Sequence, residues 1–391
     1  MTLAEQFFAL DSLLKRNRQY WQCTAFDFDT LPWPELQKPL NNLTDKQVAE
    51  IDSDQAQLYK FFAPYINGLE ELEMLCELPR AEKSYSDYPF WISNGIKGRK
   101  FDQLKDFVSA LPNSTLPVLE WCAGKGHLGR MLAFNGASEV HSIELQSSLC
   151  KQGEQSAQQQ GLAMRFSQVD VLTDNTSDFF NSDIHAVALH ACGGLHQAFM
   201  RQASLAKVQK ISFSPCCYHL FTANKYLAMS TLARKSDLNL THRDLKLSLQ
   251  ETVTAPSRLE KVRKTELEWR LGFDALRKSI TDEQCYVSVP SVNKAIFSDS
   301  FKSFCAWAAD KKAILLPQDT DYGKFLSIGQ ERKKITDRVE LVRHVFRRAI
   351  EVWLVLDRAL YLQQQGYQVS VKTFCEKQLT PRNIIILANS N

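Results

Sequence analysis

The side chains with chemical potential lie between residues 120 and 219. Glu120-x-Cys122-Ala123-Gly124-x-Gly126 sets an acid just ahead of a turn of small residues, and Glu144 and Asp170 follow as later acids. His190 and Cys192 form one reactive group, and Cys216, Cys217, Tyr218 and His219 form another. An acid before a glycine turn suits a ligand carrying positive charge and repels a pyrophosphate. Three chemistries fit the thiols and imidazoles. They line a pocket in which His190 or His219 orients or deprotonates an acceptor. Alternatively, a thiolate attacks a pyrimidine ring, which requires a depressed pKa. No cationic residue stands close in sequence to Cys216 or Cys217, so a non-covalent role is expected. The third is a metal or iron–sulfur site. No CxxC pair exists and adjacent cysteines chelate one ion poorly, so no metal is expected. Tyr218 is expected to stack on a flat acceptor or to lie against the cationic sulfur of a bound ligand.

Strand ends must position these residues. Val118–Glu120 reads as a buried strand, the small-residue turn follows, and His127–Asn135 has helical apolar spacing stopped by Gly136. The glycines let backbone approach a ligand closely and let the helix start tightly against the strand. Further strands are expected at Val140–Glu144, Met164–Val169, Ile184–Leu189 and Ile211–Phe213, alternating with helices. That rhythm argues a parallel sheet covered by helices. Cys122, His190, Cys192, Cys216, Cys217, Tyr218 and His219 then all follow strand ends, and in an open parallel sheet such positions converge on one crevice. Residues 221–335 interrupt the rhythm with a basic helical stretch, Arg258–Lys278, and strand-like pieces around Cys285–Val289 and Ala313–Leu316. The rhythm resumes with one long helix over Thr336–Gln365. Strands at Tyr367–Phe374 and Asn383–Leu387 follow, and their short connection implies an antiparallel hairpin.

The 391 residues suffice for two domains or for one with a large insertion. The expected division is a mainly helical accessory region, 1–95, and a sheet domain, 96–391, with 221–335 inserted after the fifth strand. No run of eighteen apolar residues exists, and the N-terminus lacks the continuous apolar stretch of a signal peptide; a cytoplasmic protein without a membrane partner is expected. Ten cysteines in a chain this long are expected to be thiols. The net charge of +3 hides an asymmetry: residues 1–95 hold 8 Lys+Arg against 15 Asp+Glu, and the remainder 39 against 29. A basic second part suggests an anionic partner.

Gly124-Lys125-Gly126-His127-Leu128-Gly129 matches GxGxxG, so a dinucleotide enzyme must be weighed. Three features favour S-adenosylmethionine instead. Glu120 suits its ammonium and sulfonium. The terminal helix and hairpin match the usual ending of a class I methyltransferase sheet. Asp170 after the third strand is placed to hold an adenine amino group, while Glu144, after the second, is placed for ribose hydroxyls.

Glu120–Leu128, Ala188–Gly193, Ser214–Tyr218, Leu356–Arg358 and Thr380–Asn383 together resemble the methyltransferase domain of the glutathione S-transferase C-terminal domain-containing proteins and of ribosomal RNA adenine dimethylase domain-containing relatives. The resemblance covers about 117–220 and 337–390. It implies an α/β class I methyltransferase (Rossmann-like) fold: a seven-stranded, mostly parallel sheet with an antiparallel C-terminal hairpin strand. It also implies S-adenosylmethionine binding. Cys122 replaces a commoner glycine, which makes the loop bulkier. The cofactor-binding residues expected are Glu120, Cys122, Ala123, Gly124, Gly126, Leu128, Glu144, Leu145, Asp170, Val171 and His190. The catalytic candidates are His190, Cys216, Cys217, Tyr218 and His219. The acceptor expected is RNA, tRNA or rRNA, held by Lys97, Arg99, Lys100, Arg258, Lys261, Arg263, Lys264, Arg332, Lys333 and Lys334. Arg99 and Lys100 look equivalent to paired basic residues in relatives. The alternatives are a protein methyltransferase and a cofactor-binding scaffold without turnover.

Overall fold

Short apolar runs that can be buried on both faces become the strands of a parallel sheet. They are Val118–Trp121 (β1), Val140–Glu144 (β2), Met164–Gln168 (β3), His185–Cys192 (β4) and Lys210–Cys216 (β5). β1 lies between β2 and β4, β3 flanks β2, and β5 flanks β4, all parallel. Tyr367–Thr373 (β6) and Ile384–Ser390 (β7) form the expected antiparallel hairpin, and β7 inserts antiparallel to β5. The order is β3-β2-β1-β4-β5-β7-β6. This is the class I methyltransferase sheet. The computed structural model describes residues 1–221, 223, 225–251 and 257–390, without the side chains of 257–260.

The chain folds as two compact units. One joins residues 1–16, 71–253 and 347–391; the other joins 17–70 and 254–346. The stretch 1–95 is therefore shared between both. In the first unit, Leu104, Phe107, Leu128 and Met131, from the helices Arg99–Ser109 and His127–Phe134, pack with Val118, Val140, Val187 and Ile385 of the sheet. In the second unit, Trp269, Phe273, Phe301 and Phe304 build an aromatic helical core.

Two sequence expectations are corrected. The single helix over Thr336–Gln365 is two helices, Tyr322–His344 and Arg347–Gln364. The apolar spacing continues through Val345 and Phe346, both fully buried, so periodicity hides the break. The pieces around Cys285–Val289 and Ala313–Leu316 are not strands. Val289, Ile314 and Leu316 pack on the helical aromatic core, which explains their apolar character without a strand partner. All ten cysteines are free thiols. Among the described residues no helix is long and apolar enough to cross a membrane.

Candidate active site

The strand order reverses between β1 and β4, so a crevice opens beyond their carboxyl ends. Its floor is the turn after β1. Gly126 is left-handed (φ 67°), and a Cβ there would lie 2.4 Å from the Phe166 ring. A Cβ on Gly129 would lie 2.5 Å from Glu120. These two glycines therefore let the helix 127–134 seat against β1 and β3. Gly124 (φ 60°) has nothing within 4 Å of a Cβ position, so open space adjoins the turn there.

Glu120 does not face that space. Its carboxylate is buried beneath the turn, accepting from Gly129 N–H at 3.0 Å and from the Ser142 hydroxyl at 2.6 Å. Burial raises its pKa to about 7, against the lowering effect of these hydrogen bonds and of Lys100 and Arg130. The sequence places Glu120 on the ligand; the structure gives it the role of bracing the turn from below. Glu144 ends β2 half-buried and accepts from Gly124 N–H (2.9 Å) and Gln146 N–H (3.0 Å). It is thus fixed against the glycine turn. Asp170 folds the start of the next loop by accepting from Leu172 N–H at 3.0 Å. Leu145 and Leu172 are 56% and 60% exposed, two apolar side chains beside the acids at adjacent strand ends. Leu172, rather than the buried Val171, is the exposed apolar residue after β3. Leu128 is likewise corrected: it sits in the core cluster under the helix. Ala123 donates its N–H to Ile143 O at 3.0 Å and ties the turn to β2.

At the ends of β1, β4 and β5, three non-glycine residues take the left-handed conformation: Cys122 (φ 56°), His190 (φ 66°) and Cys217 (φ 46°). Such backbone strain collects at functional positions. The Gln103 amide donates to His190 Nε2 at 2.7 Å, which leaves the ring proton on Nδ1. Burial, then Lys100, hold the imidazole down to about 4, so it is neutral at physiological pH. Lys100 is half-buried on the same helix as Gln103 and lies within electrostatic reach of Cys216 and Glu120. A cation that sequence distance hides thus stands near the thiols. His127, at the first turn of its helix, accepts from Arg130 at 2.6 Å, and burial together with Arg130 holds it down to about 4. Burial pushes the Cys122 thiol up to about 12. His219 is half-buried beside Cys217, and burial lowers its pKa.

Tyr218 is corrected outright. It is 1% exposed, with its hydroxyl on Pro215 O at 3.4 Å and its ring under the Arg358 guanidinium at 4.9 Å. The cation it meets is the chain's own Arg358 and not a ligand's, and, buried as it is, Tyr218 can neither face a bound ligand nor stack on an acceptor. Lys100, Gln103, His127 and Leu172 are the site residues that the motif reading assigns no place in the crevice. The helix 99–109 carries no glycine motif; only its amphipathic spacing marks Lys100 and Gln103 as a pair three residues apart.

Residues 99–224 match the family described as "Methyltransferase domain". This segment is a methyltransferase domain. The glutathione S-transferase C-terminal domain-containing protein of Xenopus laevis is 30% identical over 124 residues, 31% of this chain and 19% of that protein. The chain thus matches about a fifth of the length of this curated relative. Two solved structures are similar to parts of the chain. TrmN from Thermus thermophilus is 17% identical with a TM-score of 0.27, covering 36% of this chain and 48% of that one. Geranyl diphosphate C-methyltransferase from Streptomyces coelicolor is 11% identical with a TM-score of 0.26, covering 41% and 65%. S-adenosylmethionine is the methyl donor of such a domain, and the corner tests well against it. The open space over Gly124 and the fixed Glu144 carboxylate would give the donor room and a hydroxyl acceptor, and the exposed Leu145 and Leu172 stand after adjacent strands.

Proposed function

We propose that this protein methylates an RNA, using S-adenosylmethionine as donor. The residues that would hold the donor are Gly124, Glu144, Leu145, Asp170 and Leu172. The bound sulfonium supplies an electrophilic methyl group, so the chain's part is to align an acceptor lone pair and to exclude water. His190 is suited to that part: it is neutral, fixed by Gln103, and carries its proton on Nδ1. It can donate a hydrogen bond to an acceptor heteroatom and set its orientation.

One observation carries the choice of RNA. Lys97 and Arg99 are exposed at the start of the helix whose Lys100 and Gln103 enter the crevice. Phe90 is 83% exposed a few residues upstream. Exposed cations at the start of this helix and an exposed aromatic ring just upstream of it in sequence combine phosphate contact with a stacking surface for unpaired bases. The other cations named from the sequence contribute less. Arg332 is buried and tied to Asp274 and Asp29, Lys333 pairs with Asp337, and Lys334 pairs with Glu331. Lys264 approaches Glu268 at 3.9 Å, while Lys261 and Arg263 are exposed. The Arg258 side chain lies outside the described residues. Lys100 serves the crevice interior instead of the outer surface.

Two outcomes test the reading. Glu144→Ala is expected to weaken S-adenosylmethionine binding by roughly 1–3 kcal/mol in calorimetry, the size of a lost charge-assisted hydrogen bond. Tight NAD binding with no S-adenosylmethionine binding would overturn the cofactor. RNA affinity is expected to fall steeply with salt, and Lys97→Glu with Arg99→Glu to reduce that slope by about two. A flat salt dependence, or unchanged binding by the double variant, transfers the acceptor to protein.

A further inference from the structure

The sequence argument against a metal rests on Cys216 and Cys217 being adjacent. In an extended strand adjacent side chains face opposite sides, and two such thiols cannot share an ion. The fold removes that objection. Cys216 ends β5, and the left-handed backbone of Cys217 breaks the alternation immediately after it. A bulge between Leu189 and Cys192 in β4 also shifts the register, so that Cys192 pairs with Cys216. The Cys192 and Cys216 sulfurs come to 3.4 Å, and the three sulfurs of Cys192, Cys216 and Cys217 all lie within 4.8 Å of one another.

With one edge of 3.4 Å and the others within 4.8 Å, that triangle is close in size to one face of a coordination tetrahedron. With Zn–S bonds near 2.3 Å, sulfurs around a tetrahedral zinc ion are spaced by ~3.8 Å. Three thiolates and one divalent cation carry one net negative charge, and the Lys100 ammonium lies within electrostatic reach of Cys216 to balance it. Three soft ligands select zinc or copper(I) over magnesium or calcium. Cys216 is buried, while Cys192 and Cys217 are half-buried, so the trio is anchored at one corner and reachable from the crevice. We propose that Cys192, Cys216 and Cys217 form a three-thiolate site for a thiophilic ion, zinc foremost, with its fourth position open to the crevice. This goes beyond methyl transfer and does not depend on which acceptor the protein uses.

The test uses the full-length chain, reduced and stripped of metal. Cadmium is titrated in, and the thiolate-to-metal absorption in the near ultraviolet is followed. The expected result is a band that saturates at one ion per chain and is bleached by zinc. Cys285→Ser, at an exposed cysteine elsewhere, is expected to leave the band unchanged. Cys192→Ser with Cys217→Ser is expected to weaken uptake by at least about tenfold. That double variant spares the buried Cys216, and its circular dichroism confirms the fold. Two results overturn the site: no saturating band in the reduced wild-type chain, or a band that the folded double variant retains.

Discussion

Asp357→Ala is expected to destabilise the first unit by about 3–5 kcal/mol, as when one partner of a buried charged network is removed. Asp357 is fully buried on the helix 347–364. It accepts from Met229 N–H (2.9 Å), Ser230 N–H (2.7 Å) and the Tyr226 hydroxyl (2.5 Å). Its neighbour Arg358 donates to His196 at 2.7 Å, to Tyr226 at 2.9 Å and to Leu354 O. Alanine leaves two backbone donors and a hydroxyl without a carboxylate acceptor, and removes the acid from the network that Tyr226 shares with Arg358. Asparagine keeps the shape and one acceptor oxygen, so it should cost markedly less. Urea midpoints measure both. A loss below about 1 kcal/mol for alanine would mean that water satisfies these donors. The segment 226–230, which follows the reactive β5 end, is tied to the helix by this carboxylate and, at Tyr226, by Arg358, so the variant should also loosen this segment.

Glu120→Gln is expected to be more stable relative to wild type at pH 8 than at pH 5, by about 2.5 kcal/mol. Burial raises the Glu120 pKa in the folded chain to about 7, from the ordinary carboxyl value of 4.5. The folded state therefore holds the proton more tightly than the unfolded state. Its stabilising contribution is complete below pH 4.5 and is lost as pH rises towards 7, where a buried carboxylate must ionise. Glutamine is neutral throughout; its carbonyl can accept from Gly129 N–H and its amide can meet Ser142. Measuring the difference between the two proteins cancels the other titrating groups, including His127 and His190, whose lowered values act in the opposite sense. A difference that stays constant from pH 5 to pH 8 would show that Glu120 is ionised in the folded chain across that range.

The sheet was legible because most of its strands are short runs rich in apolar residues that alternate with stretches of helical spacing. Val140–Glu144 has the bounds read from sequence, and the hairpin followed from the short link around Pro381. The glycine turn and Glu144 were legible for the same reason: a ligand corner is a local feature. What escaped reading depends on contacts distant in sequence. Nothing near Tyr218 announces that Arg358 will cover its ring. Gln103 lies 87 positions from His190, and Lys100 is as remote from the thiols it faces. The thiol trio depends on a bulge and a left-handed residue, and neither has a signature in Cys-Cys. The helix break at Val345 and Phe346 escaped because burial on every side erases the period that would mark it. The split of residues 1–95 between two units reflects packing against segments more than two hundred positions away, which composition does not encode.

The left-handed backbone at Cys122, His190 and Cys217 sets an evolutionary asymmetry. At each position glycine is the residue that the backbone itself favours, because it alone adopts positive φ without steric cost. Mutation alone would push these sites towards glycine, and only the usefulness of a thiol or an imidazole opposes that drift. A descendant that kept the fold and abandoned the chemistry would be free to accept glycine at all three and gain stability in doing so. The identity of these residues in a lineage is therefore a fossil record of whether its crevice is still at work.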